Sequence, residues 1–445
     1  MTDGEKLRRF GFDKVALLIL LLIGLLAAKL IVSWRAGFKL SKPIVLQGTG
    51  LSVSVPKSGG FKQLSEGFEY DDSEFRLSCI LQISSDTAVS VSWRYFLVPF
   101  KKTVAERFEA QASDIGGAIE KTGSEQFGQF PFDYARIASE KTSILLFSGI
   151  TQLPDGRTLT LEVSQKGRDI DLAEKIFRSI AASVTFTPDS SLANGRKLLD
   201  NFRHSDLAAI TAKKTEQNYY YIKNYTGQPL GFITDAISRK TDGRDANSLV
   251  TASLYFIRPG INSFAEQSLL RCDPNLQSFK WMSRQSDLLI NRDLTTSIEL
   301  DRQGKVTVQR RNIVQDFVFT STMLPEILLD TLLESFLQSD FNSVMVDIIL
   351  PDGQLAPVLV AKTEPQKTIE PNAAWAVKTD FFGTNARQQT IYFDSTGKIL
   401  LSEVHGKLSY KLQRTQKDRI VADFPQWLEK IQQIEQYIIP EKSKE

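Results

Sequence analysis

Apolar and polar residues are arranged along this chain in three ways, and each predicts a different kind of element. Residues Val15 to Trp34, VALLILLLIGLLAAKLIVSW, carry one charge, Lys29, in twenty positions. As a helix rising about 1.5 Å per residue, this segment spans roughly 30 Å, the thickness of a bilayer's hydrocarbon core. Period-two alternation comes next, in Leu51-Ser-Val-Ser-Val55 and in Phe75, Leu77, Cys79, Leu81 and Ile83, and it predicts strands with one buried face. Elsewhere apolar residues recur every three to four positions, the spacing of an amphipathic helix.

The N-terminal segment has two readings. Lys6, Arg8, Arg9 and Lys14 suit the charged region of a signal peptide, with Val15–Ala28 as its apolar region. Cleavage requires small residues spaced as Ala-x-Ala. Leu26-Ala27-Ala28 and Trp34-Arg35-Ala36 each place a bulky residue in the outer slot. The expectation is therefore an uncleaved signal anchor over 15–34, with Val15, Leu22 and Leu26 in the bilayer and Trp34 at its interface. The cationic tail 1–14 marks the cytoplasmic end and places the remainder on the extracytoplasmic (periplasmic or external) side. Arg35, Lys39 and Lys42 weaken that charge bias.

After a juxtamembrane linker at 35–48, the pattern predicts a first domain over 49–188. Strands at 51–55, 75–84 and 91–99 precede a helix from 103 to about 120, entered through the capping box Thr103-Val-Ala-Glu106. Its stripe is Val104, Phe108, Ala112, Ile115 and Ile119. Strands at 130–139, 143–152 and around Leu159–Val163 lead to a second helix from Asp171 that buries Leu172, Ile176, Phe177 and Ile180. This order is α+β: an antiparallel sheet covered by two helices. From Leu51-Ser-Val-Ser-Val-Pro56 to Leu172-Ala-Glu-Lys-Ile-Phe-Arg-Ser-Ile180, the stretch resembles the Mog1/PsbP-like α/β/α sandwich. The resemblance implies a binding or assembly module without catalysis.

Thr187-Pro-Asp-Ser-Ser191 marks the boundary to a larger domain over 189–440, followed by a polar tail at 441–445. Its strands include 219–222, 231–233, 250–257, a hairpin at 266–283, 297–300, 306–308 and five more between 344 and 411. A helix interrupts at 325–338, and a last one, capped by Asp423, presents Trp427, Ile431, Ile434 and Ile438. Two hairpins share the form Ile-x-apolar-Asp-x-x-Gly-Lys-apolar, at Ile298–Val306 and Ile391–Ile399. Turn chemistry explains the echo more simply than a duplicated ligand site. From Tyr219-Tyr-Tyr-Ile222 and Gly227-Gln-Pro-Leu-Gly231-Phe232 to the Asp394–Lys398 hairpin, the meander resembles the LolA/LolB-like envelope fold. That resemblance implies a curved antiparallel sheet covered by helices and sheltering a lipid tail.

Composition narrows function mainly by exclusion. The chain is 42% hydrophobic and 24% charged, with a net charge of +2 and no long basic run, which argues against nucleic acid as a partner. Two cysteines make no disulfide scaffold, and a Cys79–Cys272 bridge would have to join the two domains. His204 and His405 lack the spacing and the companions of metal ligands. No phosphate loop, dinucleotide fingerprint or nucleophile elbow occurs. Ser54-Val-Pro-Lys57 and Lys121-Thr122-Gly123 imitate the boxes of penicillin-recognising enzymes, but Ser54 lies in a strand interrupted by Pro56. Asn224-Tyr-Thr226 is a lone sequon.

No cofactor is expected. The best lead is the 325–338 helix, whose apolar residues cover more than one stripe while Glu326, Asp330 and Glu334 form a narrow polar line. Ordinary core packing accounts for that surface. The functional alternative makes it a lid over a lipid or other apolar ligand, lined by Leu328, Leu332, Phe336, Tyr219 and Tyr221. The expected protein is a non-enzymatic, membrane-anchored binding or scaffold module with an envelope protein as partner. Two alternatives stand beside it: an anchored hydrolase or transferase using carboxylates, and a docking protein on the cytoplasmic side.

Overall fold

The computed structural model describes residues 40, 42–46, 50–54, 69–71, 76–83, 89–100, 102–166, 170–188, 190–207, 217–239, 248–258, 263–381, 387–406 and 408–436. The expected anchor, with Val15, Leu22, Leu26 and Trp34, lies outside them. Among the described residues no helix is long and apolar enough to cross a membrane. Strands dominate, joined by six α-helices among the described residues, and the fold is α+β. Two compact units divide the chain: 1–67, 78–95 and 100–187 form one, and 68–77, 96–99 and 188–445 the other.

The N-terminal elements are β1 (Ile44–Leu46), β2 (Leu51–Val53), β3 (Glu69–Asp71), β4 (Arg76–Ile83), β5 (Val89–Phe96), α1 (Val104–Asp114), β6 (Ala118–Phe127), β7 (Phe130–Ser139), β8 (Ile144–Gln152), β9 (Thr158–Lys166), α2 (Ile170–Ser183) and β10 (Thr185–Phe186). A small sheet has the order β1-β2-β10, and a seven-stranded sheet the order β3-β4-β5-β9-β8-β7-β6. Helix α1 packs Phe108 and Ala112 against Ala135, Ile137, Leu146 and Ile150. Helix α2 sets Phe177 against Phe127 and Phe147, with ring centroids 5.7 and 6.0 Å away. Neighbouring residues of β8, Leu146 and Phe147, thus serve different helices, because side chains alternate across a strand.

The sequence predicts α1 continuing to about 120, but the helix ends at Asp114. Gly116 adopts a φ of +61°, and the chain returns as β6 with Ile119 opposite Ile137. At the sheet edge, β6 buries only Phe127, so it lacks the alternation that would reveal a strand.

The second unit comprises α3 (Ser190–Asn201), β11 (Gln217–Lys223), β12 (Pro229–Arg239), β13 (Leu249–Ile257), β14 (Phe264–Cys272), β15 (Phe279–Asp287), β16 (Arg292–Leu300), β17 (Lys305–Arg310), β18 (Ile313–Val318), β19 (Met323–Pro325), a 3-10 turn at Glu326–Leu328, α4 (Leu329–Gln338), β20 (Ser343–Ile349), β21 (Leu355–Thr363), β22 (Trp375–Phe381), β23 (Arg387–Phe393), β24 (Ile399–His405), β25 (Tyr410–Arg414), α5 (Lys417–Asp423) and α6 (Leu428–Gln436). These strands make one fifteen-stranded sheet, a meander from β18 back to β11 joined through β25 to a second meander that ends at β19. Among the described residues of this sheet, only the β19–β20 pair is parallel.

Sequence pattern does not anticipate α3. Gly195 interrupts its stripe, and the contact with β20 explains that residue: a Cβ there would stand 1.9 Å from the Met345 carbonyl oxygen. The predicted C-terminal helix is a 3-10 turn at Pro425–Trp427 running into α6. Asp423, rather than capping it, ends the preceding helix α5, which the pattern does not predict. The Asp301 and Asp394 side chains accept from the backbone N–H groups of Gln303 and Lys305, and of Thr396 and Lys398. The repeated sequence is therefore repeated turn chemistry. Asn224 does the same for Thr226 and Gln228, which gives the sequon a structural role.

A polar cavity on one face of the long sheet

Strands β11 to β14 send alternate residues to two faces. On one, Tyr221, Phe232, Ala252, Leu254 and Phe256 pack with Ile420, Phe424, Trp427, Ile431 and Ile434 of the C-terminal helices. Trp427 lies 4.7 Å from Phe256, centroid to centroid. The Tyr221 hydroxyl donates to Asp423 at 2.6 Å, and that of Tyr219 to Glu435 at 2.7 Å.

The opposite face lines a cavity of about 460 Å³. Register places its lining in rows across the strands. Tyr220, Ile233, Tyr255 and Glu266 stand opposite one another in turn, followed by Asn218, Asp235, Ser253 and Ser268. Arg387 and Gln389 of β23, Ser402 and Val404 of β24, and Tyr410, Leu412 and Arg414 of β25 continue the wall. The 326–334 segment closes it with Glu326, Ile327, Leu329, Asp330, Thr331 and Glu334.

The five lining residues expected from the sequence lie elsewhere. Tyr219 and Tyr221 face the C-terminal helices, and Tyr220 between them faces the cavity. Leu328, Leu332 and Phe336 are fully buried and line no part of the cavity, in a helix that packs against α3. The side of this segment that meets the cavity includes the polar line Glu326, Asp330 and Glu334, spaced by four residues along one face, with Ile327, Leu329 and Thr331 beside it.

Charge is unusually dense here. The Glu266 carboxylate accepts from Ser268 Oγ at 3.2 Å, Ser283 Oγ at 3.3 Å and Gln285 Nε2 at 3.2 Å. Burial, aided by the nearby Glu326 carboxylate, nevertheless pushes the Glu266 carboxyl up to about 7. Glu326 is ion-paired with Arg387. Tyr255 and Tyr410 share a hydrogen bond, and burial holds both hydroxyls above their ordinary value. Burial also raises Tyr220, which lies in the field of Asp235, Asp330 and Glu334, with Arg414 opposing them. Among the described residues, Trp281 Nε1, Thr251 Oγ1 and Arg387 Nε are buried without a hydrogen-bond partner, and all three residues line the cavity.

The remaining candidates for chemistry are structural. His204 Nδ1 lies 2.7 Å from the Asp200 carbonyl oxygen, and His405 stacks on Tyr225. Cys272 is buried and free, its thiol pushed up by desolvation. No cluster of His, Cys and carboxylates fit for a metal ion occurs among the described residues.

No family model matches this chain, and no curated protein matches it. Among solved structures, a β-barrel-like protein of the domain of unknown function DUF1849 from Brucella abortus is similar over 45% of this chain and 95% of its own, at 9% identity and a TM-score of 0.34. A DUF1089 family protein from Pseudomonas aeruginosa is similar over 38% and 87%, at 10% identity and a TM-score of 0.25. At such TM-scores neither likeness carries an inference about this chain.

Proposed function

We propose that this protein is a membrane-anchored, non-enzymatic extracytoplasmic binding protein whose second unit holds a small amphipathic molecule. The cavity carries this reading. Its volume of about 460 Å³ falls in the range of small-ligand sites, roughly 300–1,000 Å³. Ile233, Phe264, Trp281 and Ile399 offer an apolar wall, and the acidic line with Arg387 and Arg414 offers a polar one. The purely apolar lipid pocket expected from the sequence therefore becomes a site for a molecule with an apolar body and a hydroxyl- or amino-bearing head. Unpartnered donors on Trp281, Thr251 and Arg387 suit acceptor oxygens on such a head, because buried donors are nearly always satisfied. The resemblance of residues 219–410 to the LolA/LolB-like fold and the apolar segment 15–34 support the sheltering and the anchoring.

A second reading, an anchored hydrolase, is favoured by one observation. Glu266 holds its proton up to about pH 7 beside the Glu326–Arg387 ion pair, as a general acid does. One experiment separates the two. Small molecules released by denaturing the full-length protein are compared between the native chain and Ser253→Trp, which fills the cavity. A stoichiometric compound present only in the native chain, and released chemically unchanged, supports binding. Turnover of an ester or glycoside panel that Glu266→Gln abolishes in a folded protein supports the hydrolase. Neither outcome in either assay overturns both.

A further inference from the structure

The turns at the two ends of the long sheet differ in chemistry. Following the register, the turns at 224–228, 288–291, 311–312 and 406–409 all lie at one end of the neighbouring strands β17 to β11, β25 and β24. At the other end lie 273–278, 301–304 and 394–397. Each of those turns begins with Asp and exposes no large apolar side chain; Leu276 is buried. The strand residues Trp375 and Val318 at this same end are nevertheless 48 and 54% exposed.

At the first end the β15–β16 tip presents Leu288, Leu289 and Ile290 in succession, 41, 56 and 59% exposed. Ile313, in the next hairpin, is 63% exposed, and Tyr225 48%. Three consecutive aliphatic side chains on a hairpin tip contribute nothing to the core of their own sheet. Three exposed arginines, Arg258, Arg292 and Arg311, lie at this end, together with Lys411, which is ion-paired with Glu403 at 2.8 Å and lies over the Tyr225 ring at 5.3 Å. The two carboxylates at the base of the tip are engaged: Asp287 accepts from the N–H groups of Leu289 and Ile290, and Asp293 is ion-paired with Arg284.

We infer that this end of the sheet is a membrane-docking rim, in which Leu288, Leu289 and Ile290 enter the acyl–headgroup boundary of an anionic bilayer and the arginines engage lipid phosphates. Apolar residues backed by Arg, with a half-exposed Tyr at the same end of the sheet, match the layered chemistry of that interface. The rim is independent of the N-terminal anchor and of the ligand in the cavity.

The test places a reporter tryptophan at the tip, Leu289→Trp, and another at the opposite end, Gln303→Trp, in the full-length protein. Both are reconstituted into phosphatidylcholine vesicles with and without phosphatidylglycerol, and emission is read against the unsubstituted chain. The expected result is several-fold stronger quenching of the Leu289→Trp signal by acyl-brominated lipid than of the Gln303→Trp signal. That quenching should need phosphatidylglycerol and fall when Arg258→Glu and Arg311→Glu are added, with circular dichroism unchanged. Equal exposure of both reporters to aqueous acrylamide overturns the inference. So does a tip reporter shielded from acrylamide yet untouched by brominated lipid, which would mean burial against another protein. Lipid quenching that survives both charge reversal and removal of phosphatidylglycerol overturns the anionic bilayer as occupant.

Discussion

The two faces of strands β11 to β14 are made by alternate residues of the same hydrogen-bonded ladder, yet they have opposite characters. Tyr221, Phe232, Phe256 and Ala265 stand opposite one another on the face sealed by Phe424, Trp427 and Ile431. One residue away, Tyr220, Ile233, Tyr255 and Glu266 stand opposite one another on the cavity face. The first face is filled by aromatic rings in contact and by hydroxyls bonded to helix acceptors. The second keeps space, charge and unpartnered donors. A single step along the strand separates a side chain that holds the fold together from one that can meet a ligand.

That contrast can be broken at several points. Trp427→Ala should be the most damaging, because it empties the centre of the sealed face. A loss of about 3–5 kcal/mol in denaturant unfolding is expected, and a loss below about 1 kcal/mol would show that the face is loosely packed. Next comes Glu266, whose carboxyl titrates at about 7 in the fold against an ordinary value of 4.5. Between those values the folded protein retains a proton that the unfolded chain has released, so stability falls as pH rises from about 4.5 to about 7 and levels off above. Glu266→Gln should remove roughly 1–3 kcal/mol of that pH dependence; parallel curves for the two proteins would place Glu266 in ordinary solvent.

The smallest effect is the most discriminating. Tyr221→Phe should cost about 0.5–1.5 kcal/mol, since it strips a bonded hydroxyl from the sealed face. Tyr220→Phe should cost less in unfolding and change instead what the cavity retains. Equal stability losses with identical retained compounds would erase the distinction between the faces.

Most strands are legible in the sequence because their alternation or flanking turns are strong. The hairpins at 301–304 and 394–397 announce themselves through Asp and Gly at fixed spacing. The elements that escape a sequence reading do so for identifiable reasons. The edge strand β6 buries almost nothing and so carries no periodicity. In α3, Gly195 breaks the helical pattern to let β20 approach. The apolar side chains that suggest a cavity lining, Leu328, Leu332 and Phe336, are buried away from the cavity instead. The carboxylates that read as a solvated line form its roof. Nothing in a run such as Tyr219-Tyr220-Tyr221 says which of the three faces inward.

Local chemistry, readable from the chain alone, decides where strands and helices form, where they turn, that the fold is α+β, and that segment 15–34 has the length and apolarity of a bilayer span. These properties rest on side-chain periodicity, capping and turn residues within a few positions of one another. Which face of the long sheet stays open, and which carboxylates gather there, depends on partners far along the chain: Glu266 against Glu326 and Arg387, Tyr255 against Tyr410. Only the tertiary fold decides those meetings, because burial and charge act through space and not along the sequence.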